Sequence, residues 1–363
     1  MHRLIFIFVL IFLTMSGCKK ENQIEKKGRL LTDLTGRSVI IPEKAGKIIC
    51  LAPGTLRLIV YLKAQSLLVG IEAFEKKMKS GRPYWIASPQ LSSLPVIGPG
   101  GPGSIGKDPD MEAVMRVRPD IIFVSSMSPE KADSLQERLK IPVVVLSYGN
   151  SLGTWDTTVY DSLRIAAIAL GKEKRADEVI SFIESTQKDI IRRSKKAQNP
   201  AKVYAGAIGF KGLQGIESSD STYWPFAWTG VNNIVSKKGK GHLFINKESL
   251  LAMNPDIIFI DGAGLKIVTQ DMVKKSDYYQ SLKAFKAKKV FSLLPFNFYL
   301  TNIGTVLVDG YAVGRVLKKD AFRDIDISQK AGEIYTFLVG KDVYSEMIKA
   351  YGDAGSSIRL KLK

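Results

Sequence analysis

Three cations and six aromatic residues carry the ligand chemistry that the sequence offers. They are Arg57, Arg82 and Lys211, and Tyr84, Trp85, Tyr148, Tyr223, Trp224 and Phe298. A guanidinium or ammonium can neutralise a carboxylate, catecholate or phosphate, and ring faces suit a large planar or catecholate-bearing ligand. Bare metal binding finds little support, because His2 and His242 are the only histidines and Cys18 and Cys50 the only cysteines. That inventory cannot assemble a zinc or manganese site of the usual N/S type. His242 has no Gly-x-Ser-x-Gly elbow to join in a hydrolytic triad. The run Gly98-Pro-Gly-Gly-Pro-Gly-Ser-Ile-Gly106 lacks the Gly-Lys-Ser/Thr ending of a phosphate-binding loop and reads as a close-packed wall. The expectation is binding without catalysis: no enzyme, no resident cofactor.

The elements that must position these residues alternate between apolar runs and amphipathic segments. Residues 38–41, 47–52 and 67–72 read as strands, 54–62 as the start of a helix and 74–95 as a loop. Beyond the glycine-rich run, a helix is expected over 111–117, a strand over 120–125, a helix over 129–139 and a strand over 142–146. This alternation predicts a mostly parallel sheet covered by helices. In such sheets the loops at the carboxyl ends of strands face ligand. Here those loops are 53–57, 74–85, 98–106 and 147–150, then 209–228, 262–266 and 295–299.

An internal repeat divides the chain. Residues 110–126 align with 246–262 at a constant offset of 136, with six identities in seventeen positions. Glu112 matches Glu248, and Pro119-Asp-Ile-Ile-Phe123 matches Pro255-Asp-Ile-Ile-Phe259. Each copy is a short helix stopped by proline and followed by a buried strand. Between the copies, residues 172–196 contain no glycine or proline and carry apolar residues at helical spacing, enough for one stiff helix. The expected domains are a signal peptide at 1–17, a tether at 18–32, a first lobe at 33–170, a linking helix at 171–198 and a second lobe at 199–363.

The signal assignment rests on a basic start, an unbroken apolar run from Leu4 to Leu13, and Ser16-Gly17-Cys18. Ten apolar residues are too few to cross a bilayer as a helix, and this order is that of a secretory signal. The closing residues resemble a bacterial lipobox, which makes Cys18 the acylated first residue of the mature chain. Cys50 then remains as a small hydrophobe in a buried strand. The 53 Lys+Arg against 35 Asp+Glu give a net charge of +18. They are scattered in small groups with no zinc-finger spacing or aromatic RNA-binding strand, so no nucleic-acid partner is expected. Solvated helix faces beside an anionic membrane account for most of this charge.

The lipobox, the tether, the Ile-Ile-Cys-Leu-Ala-Pro-Gly-Thr opening strand and the paired Glu…Pro-Asp-Ile-Ile units together resemble the helical-backbone substrate-binding proteins of ABC importers, the group that serves ferric siderophores, haem and vitamin B12. The resemblance covers roughly residues 31–352. It implies two Rossmann-like α/β lobes joined by a single long helix, with ligand held in the cleft between them. It also implies a carboxylate on each lobe that docks the permease dimer, and the matching positions are Glu112 and Glu248. Relatives often carry Glu where this chain has Arg57, which leans towards an anionic ligand. The expected function is capture of a ferric-siderophore-type iron complex by a monomeric lipoprotein, on the outer face of the cytoplasmic membrane or in the periplasm. Haem, a corrinoid or a molybdate-type anion are alternatives, as is a permease-independent scaffold or adhesin.

Overall fold

The structure is a computed structural model that describes residues 28–77, 80–149, 156–195 and 201–358. Cys18 and the expected signal peptide lie outside the described residues, as does Trp155. In chain order the strands are β1 (Gly28–Thr32), β2 (Ser38–Pro42), β3 (Ile48–Leu51), β4 (Leu68–Gly70), β5 (Ile121–Ser125), β6 (Val143–Leu146), β7 (Val203–Gly206), β8 (Ser218–Asp220), β9 (His242–Phe244), β10 (Ile257–Asp261) and β11 (Val290–Leu293).

Two parallel sheets, of order β4-β3-β5-β6 and β11-β10-β7, form the centres of two α/β lobes. The strands of the first are continuously apolar because helices cover both faces, and successive side chains enter different layers. Ile48, Cys50, Ile121 and Phe123 join the large core that runs through the long helix into the second lobe. Ile49, Leu51, Ile122 and Val124 face a separate layer with Val114 and Leu135. In the second sheet Phe259 belongs to the large core, while Ile258 and Ile260 pack with Leu250 and Val268. Cys50 is a buried free thiol whose pKa burial pushes up.

The repeat is conformational as well as sequential. Asp110 caps the helix Met111–Val117 by accepting from the Ala113 amide, and Asn246 caps Lys247–Met253 by accepting from the Ser249 amide. Both helices end on a left-handed residue before the proline, Arg118 at φ 47° and Asn254 at φ 45°. Each then feeds an interior strand of its own lobe's sheet, β5 or β10.

Between the lobes runs the helix Glu173–Ser194, 22 residues and about 33 Å at 1.5 Å per residue. Gly171 ends the preceding helix, Thr158–Leu170, in a left-handed cap. Both ends of the long helix are fastened. Arg175 donates to the carbonyls of Tyr61 and Phe337, and Arg193 pairs with Asp324 at 2.7 Å and 3.0 Å.

Three expectations need correction. Residues 28–32, expected in the tether, pair antiparallel with β2, because Leu31 is buried opposite Val39. The expected loop 74–95 contains the helices Ala73–Lys77 and Pro83–Ile86 and a short 3-10 helix, Pro89–Ser93. The lobes also do not divide cleanly in sequence. The helix Ile327–Val339 returns to pack on Thr55–Tyr61 of the first lobe, with the closing helix Tyr344–Tyr351 beside it.

Candidate ligand-binding cleft

A cavity of about 390 Å³ opens between the lobes, where the carboxyl ends of β3, β7, β10 and β11 converge. The first lobe contributes Pro53, Phe74, Pro102 and Ile105, and the second the segments 209–213 and 297–300 together with Ala263. Its walls are chiefly apolar. Lys211 is an exposed cation on the rim, its Nζ 5.5 Å from the centre of the Phe210 ring. This volume and lining are those of a small-molecule pocket.

The glycine-rich loop forms part of the wall through close approach. Gly100 and Gly101 adopt φ 62° and 84°, and an added Cβ would lie 2.5 Å from Glu72 Cβ or 2.8 Å from Phe74 Cδ2. Only glycine fits both the backbone and the space. The result carries Pro102 and Ile105 to the cavity.

Behind the first-lobe wall lies a buried cluster of cations, rings and carboxylates. Arg57, expected as an open cation, is fully buried on the helix Thr55–Tyr61. Its Nη1 donates to the Thr301 carbonyl at 2.7 Å and to Tyr148 Oη at 3.3 Å. Its Nη2 donates to the carbonyls of Phe298, Tyr299 and Leu300 at 3.0–3.2 Å. Protein groups therefore occupy both terminal nitrogens that were expected to meet a ligand. Arg82 is equally buried and pairs with Glu75, donating also to the Glu75 carbonyl at 2.7 Å. Tyr84 donates to the same carboxylate at 3.0 Å, and Trp85 packs beside the Arg82 guanidinium. Burial pushes the Glu75 carboxyl up, opposed by the Arg82 charge, and burial also raises Glu72. Tyr148 donates to the Gly54 carbonyl at 2.9 Å.

Of the nine residues expected to bind ligand, Lys211 and Phe298 line the cavity. Arg57, Arg82, Tyr84, Trp85 and Tyr148 gather in the cluster behind it. Tyr223 and Trp224 are buried beneath Phe296, with ring centres 5.5 Å and 6.1 Å from it. Phe74, Ile105, Phe210, Leu213 and Tyr299 also line it, in loops expected to face ligand but not singled out as contacts, and Leu300 lies one residue beyond such a loop. Phe210 carried a usable signal, an aromatic between glycines in Gly209-Phe-Lys-Gly212 after an apolar strand.

His242 has no catalytic geometry. Its Nε2 lies 2.8 Å from Ser218 Oγ, but the Ser218 hydroxyl donates to the Ile208 carbonyl and is fully buried. Burial lowers the histidine pKa to about 4, so the ring is neutral and stacks on Phe210 at 3.9 Å. Among the described residues no group of three His, Cys, Asp or Glu is placed to hold a metal ion.

The sequence profile of the periplasmic binding proteins matches residues 48–295, both sheets and the helix between them. The chain belongs to the periplasmic binding protein family. It is 24% identical over 329 residues to the molybdate-binding protein of Haemophilus influenzae, covering 85% of this chain and 90% of that one. The solved structure of that relative, bound to molybdate, superposes with a TM-score of 0.68 at 20% identity, covering 86% and 98%. A substrate-binding lipoprotein of an ABC transporter from Bacillus subtilis is 22% identical over 316 residues, covering 82% and 90%. The structure of a periplasmic solute-binding protein from Veillonella parvula reaches a TM-score of 0.71 at 18% identity, covering 89% and 96%. As a periplasmic binding protein of the helical-backbone, ABC-importer type, this chain has its cleft where the two sheets' carboxyl ends meet. Glu112 and Glu248, in the first turns of the repeated helices, are exposed on the surface. No described helix is long and apolar enough to cross a membrane.

Proposed function

We propose that this periplasmic binding protein captures a ferric-siderophore-type chelate outside the cytoplasm and delivers it to an ABC permease. The observation that carries the reading is the cavity itself: about 390 Å³, apolar on both walls, with the Lys211 cation at its rim. A chelate presents flat apolar faces and a peripheral negative charge, and it satisfies the iron with its own oxygens. That matches a wall of Phe74, Phe210 and Phe298. The glutamates Glu112 and Glu248 then engage the two permease subunits, and Cys18 carries the lipid that keeps the monomer at the membrane. The lipoprotein relative supports the anchor.

The molybdate-binding relative favours a second reading, in which the ligand is an oxyanion held by Lys211 and by the backbone amides of the glycine-bearing loop 209–212. A tetrahedral dianion needs several donors and would leave most of the apolar wall unused, so the chelate fits better. Tryptophan-fluorescence titration separates the two. Saturable quenching by a ferric tris-catecholate, unaffected by excess molybdate, is expected. Quenching by molybdate alone would replace the first reading with the second.

A further inference from the structure

The second-lobe wall of the cavity is a loop in an unusual conformation. Tyr299 and Leu300, neither of them glycine, hold φ 59° and 63°, a left-handed backbone that costs free energy at side-chain-bearing residues. The winding turns four successive carbonyls, from Phe298 to Thr301, towards one point. That point is the guanidinium of Arg57, more than 240 residues away and on the other lobe.

Four carbonyls facing one another, three of them in buried contacts and that of Leu300 half-buried, repel, and each needs a donor. A guanidinium is the side chain suited to this, planar and always charged, with five N–H groups in a fixed fork. Tyr84 and Tyr148 present ring faces 5.0 Å and 5.8 Å from its central carbon. The loop has some closure of its own, through the Asn302 amide to Phe296 and a bridge between Asn297 and Thr301. Those bonds close the loop's neck, and the Asn302 side chain donates to the Phe298 carbonyl at 3.2 Å, but Arg57 is the group that reaches all four carbonyls from the other lobe.

A second link lies nearby. Tyr299 Oη donates to Glu72 at 2.7 Å and accepts from the Gly101 amide at 2.9 Å, so the loop also grips the glycine-rich wall opposite. Phe298, Tyr299 and Leu300 all line the cavity.

We propose that Arg57 is the positioning residue of the ligand site: its guanidinium latches the loop 297–302 of the second lobe onto the first and presets the cavity wall before ligand arrives. This rests on reading the cavity as the ligand site. In this role Arg57 fixes the shape that a ligand must match while Lys211 meets its charge.

The test compares ligand-free wild type, Arg57→Lys and Arg57→Met by hydrogen exchange, then titrates each with a ferric tris-catecholate. In Arg57→Met the amides of Thr301 and Asn302 should exchange at least tenfold faster, while those of β5 and β10 stay as in wild type. Chelate affinity should fall at least tenfold. Arg57→Lys restores the charge but not the fork and should fall between. Tyr148→Phe, which removes one bond to Arg57 and keeps the ring, should accelerate the same amides about threefold and serves if Arg57→Met does not fold. Unchanged exchange at 301–302, or acceleration spread evenly over both lobes, would overturn the latch. If wild type binds no chelate, the ligand reading fails, and the exchange result alone decides the latch.

Discussion

The two copies of the repeat agree on their outer ends and differ on their inner ones. Outside, both helices carry the same cap geometry, the same left-handed stop, an exposed glutamate in the first turn and an exposed apolar residue three positions later, Met115 at 59% and Leu251 at 38%. Inside, β5 runs into Ser125, whose hydroxyl donates to the Pro53 carbonyl, whereas β10 runs into the buried Asp261 and the glycine at 262. A duplicated outer face suits a partner built from two like halves. The diverged inner ends suit one ligand met from two different sides: a rigid, charge-stabilised wall on the first lobe, and an apolar loop wall on the second.

The largest effect should come from breaking the outer likeness. Reversing both charges, Glu112→Lys with Glu248→Lys, should reduce chelate uptake by cells more than a hundredfold while ligand affinity changes less than twofold. Uptake that survives would remove the docking role. Next in size, the inner difference can be tested by Phe298→Ala and Lys211→Glu, each expected to weaken a ferric tris-catecholate roughly tenfold, about 1.4 kcal/mol, in a fluorescence titration. Equal losses from Tyr223→Phe would instead place ligand near the second lobe's core.

A smaller effect concerns stability and pH. Burial pushes the Asp261 carboxyl up to about 8, against about 3.9 for an unfolded aspartate. The folded state therefore binds the proton more tightly. The stabilisation this provides is complete below about pH 4 and is lost as pH rises towards 8. Asp261→Asn keeps a neutral side chain of the same shape, and thermal melts should show the decline between pH 5 and 8 flattened by a few degrees. An unaltered pH profile would contradict the assignment. Smallest of all, Asp110→Ala and Asn246→Ala remove equivalent caps and should each cost about 1 kcal/mol. Urea melts giving clearly unequal losses would show that the copies are alike in geometry but not in energetics.

Much of the frame was legible in the sequence because it depends on local pattern. The Pro-Asp-Ile-Ile-Phe strands, the linking helix and the mostly parallel sheets follow from periodicity, proline stops and the repeat. The site was less legible, and Arg57 shows why. Within Thr55-Leu-Arg-Leu-Ile-Val60 a cation looks like the polar face of a cleft helix, and its true partners are carbonyls at 298–301. Backbone carbonyls leave no trace in side-chain identity, and a left-handed turn at Tyr299 and Leu300 has no glycine to announce it. Arg82 misled in the same way, since Glu75 and Tyr84 satisfy it within its own loop. Charge in a cleft loop predicted contact with ligand, but the apolar loops supplied the wall. The strand at 28–32 was missed because Leu31 is its one buried residue, while Gly28, Leu30 and Thr32 are exposed like those of a tether.

On the proposed function, the apolar cavity between Phe74, Phe210 and Phe298 holds an iron chelate. Crystals grown with equal concentrations of a ferric tris-catecholate and molybdate, measured at the iron and molybdenum absorption edges, test it most directly. An iron peak inside the cavity, beside Lys211 and against Phe298, with no molybdenum there, is the predicted result. A molybdenum peak in the cavity, or iron bound only elsewhere on the surface, would contradict it.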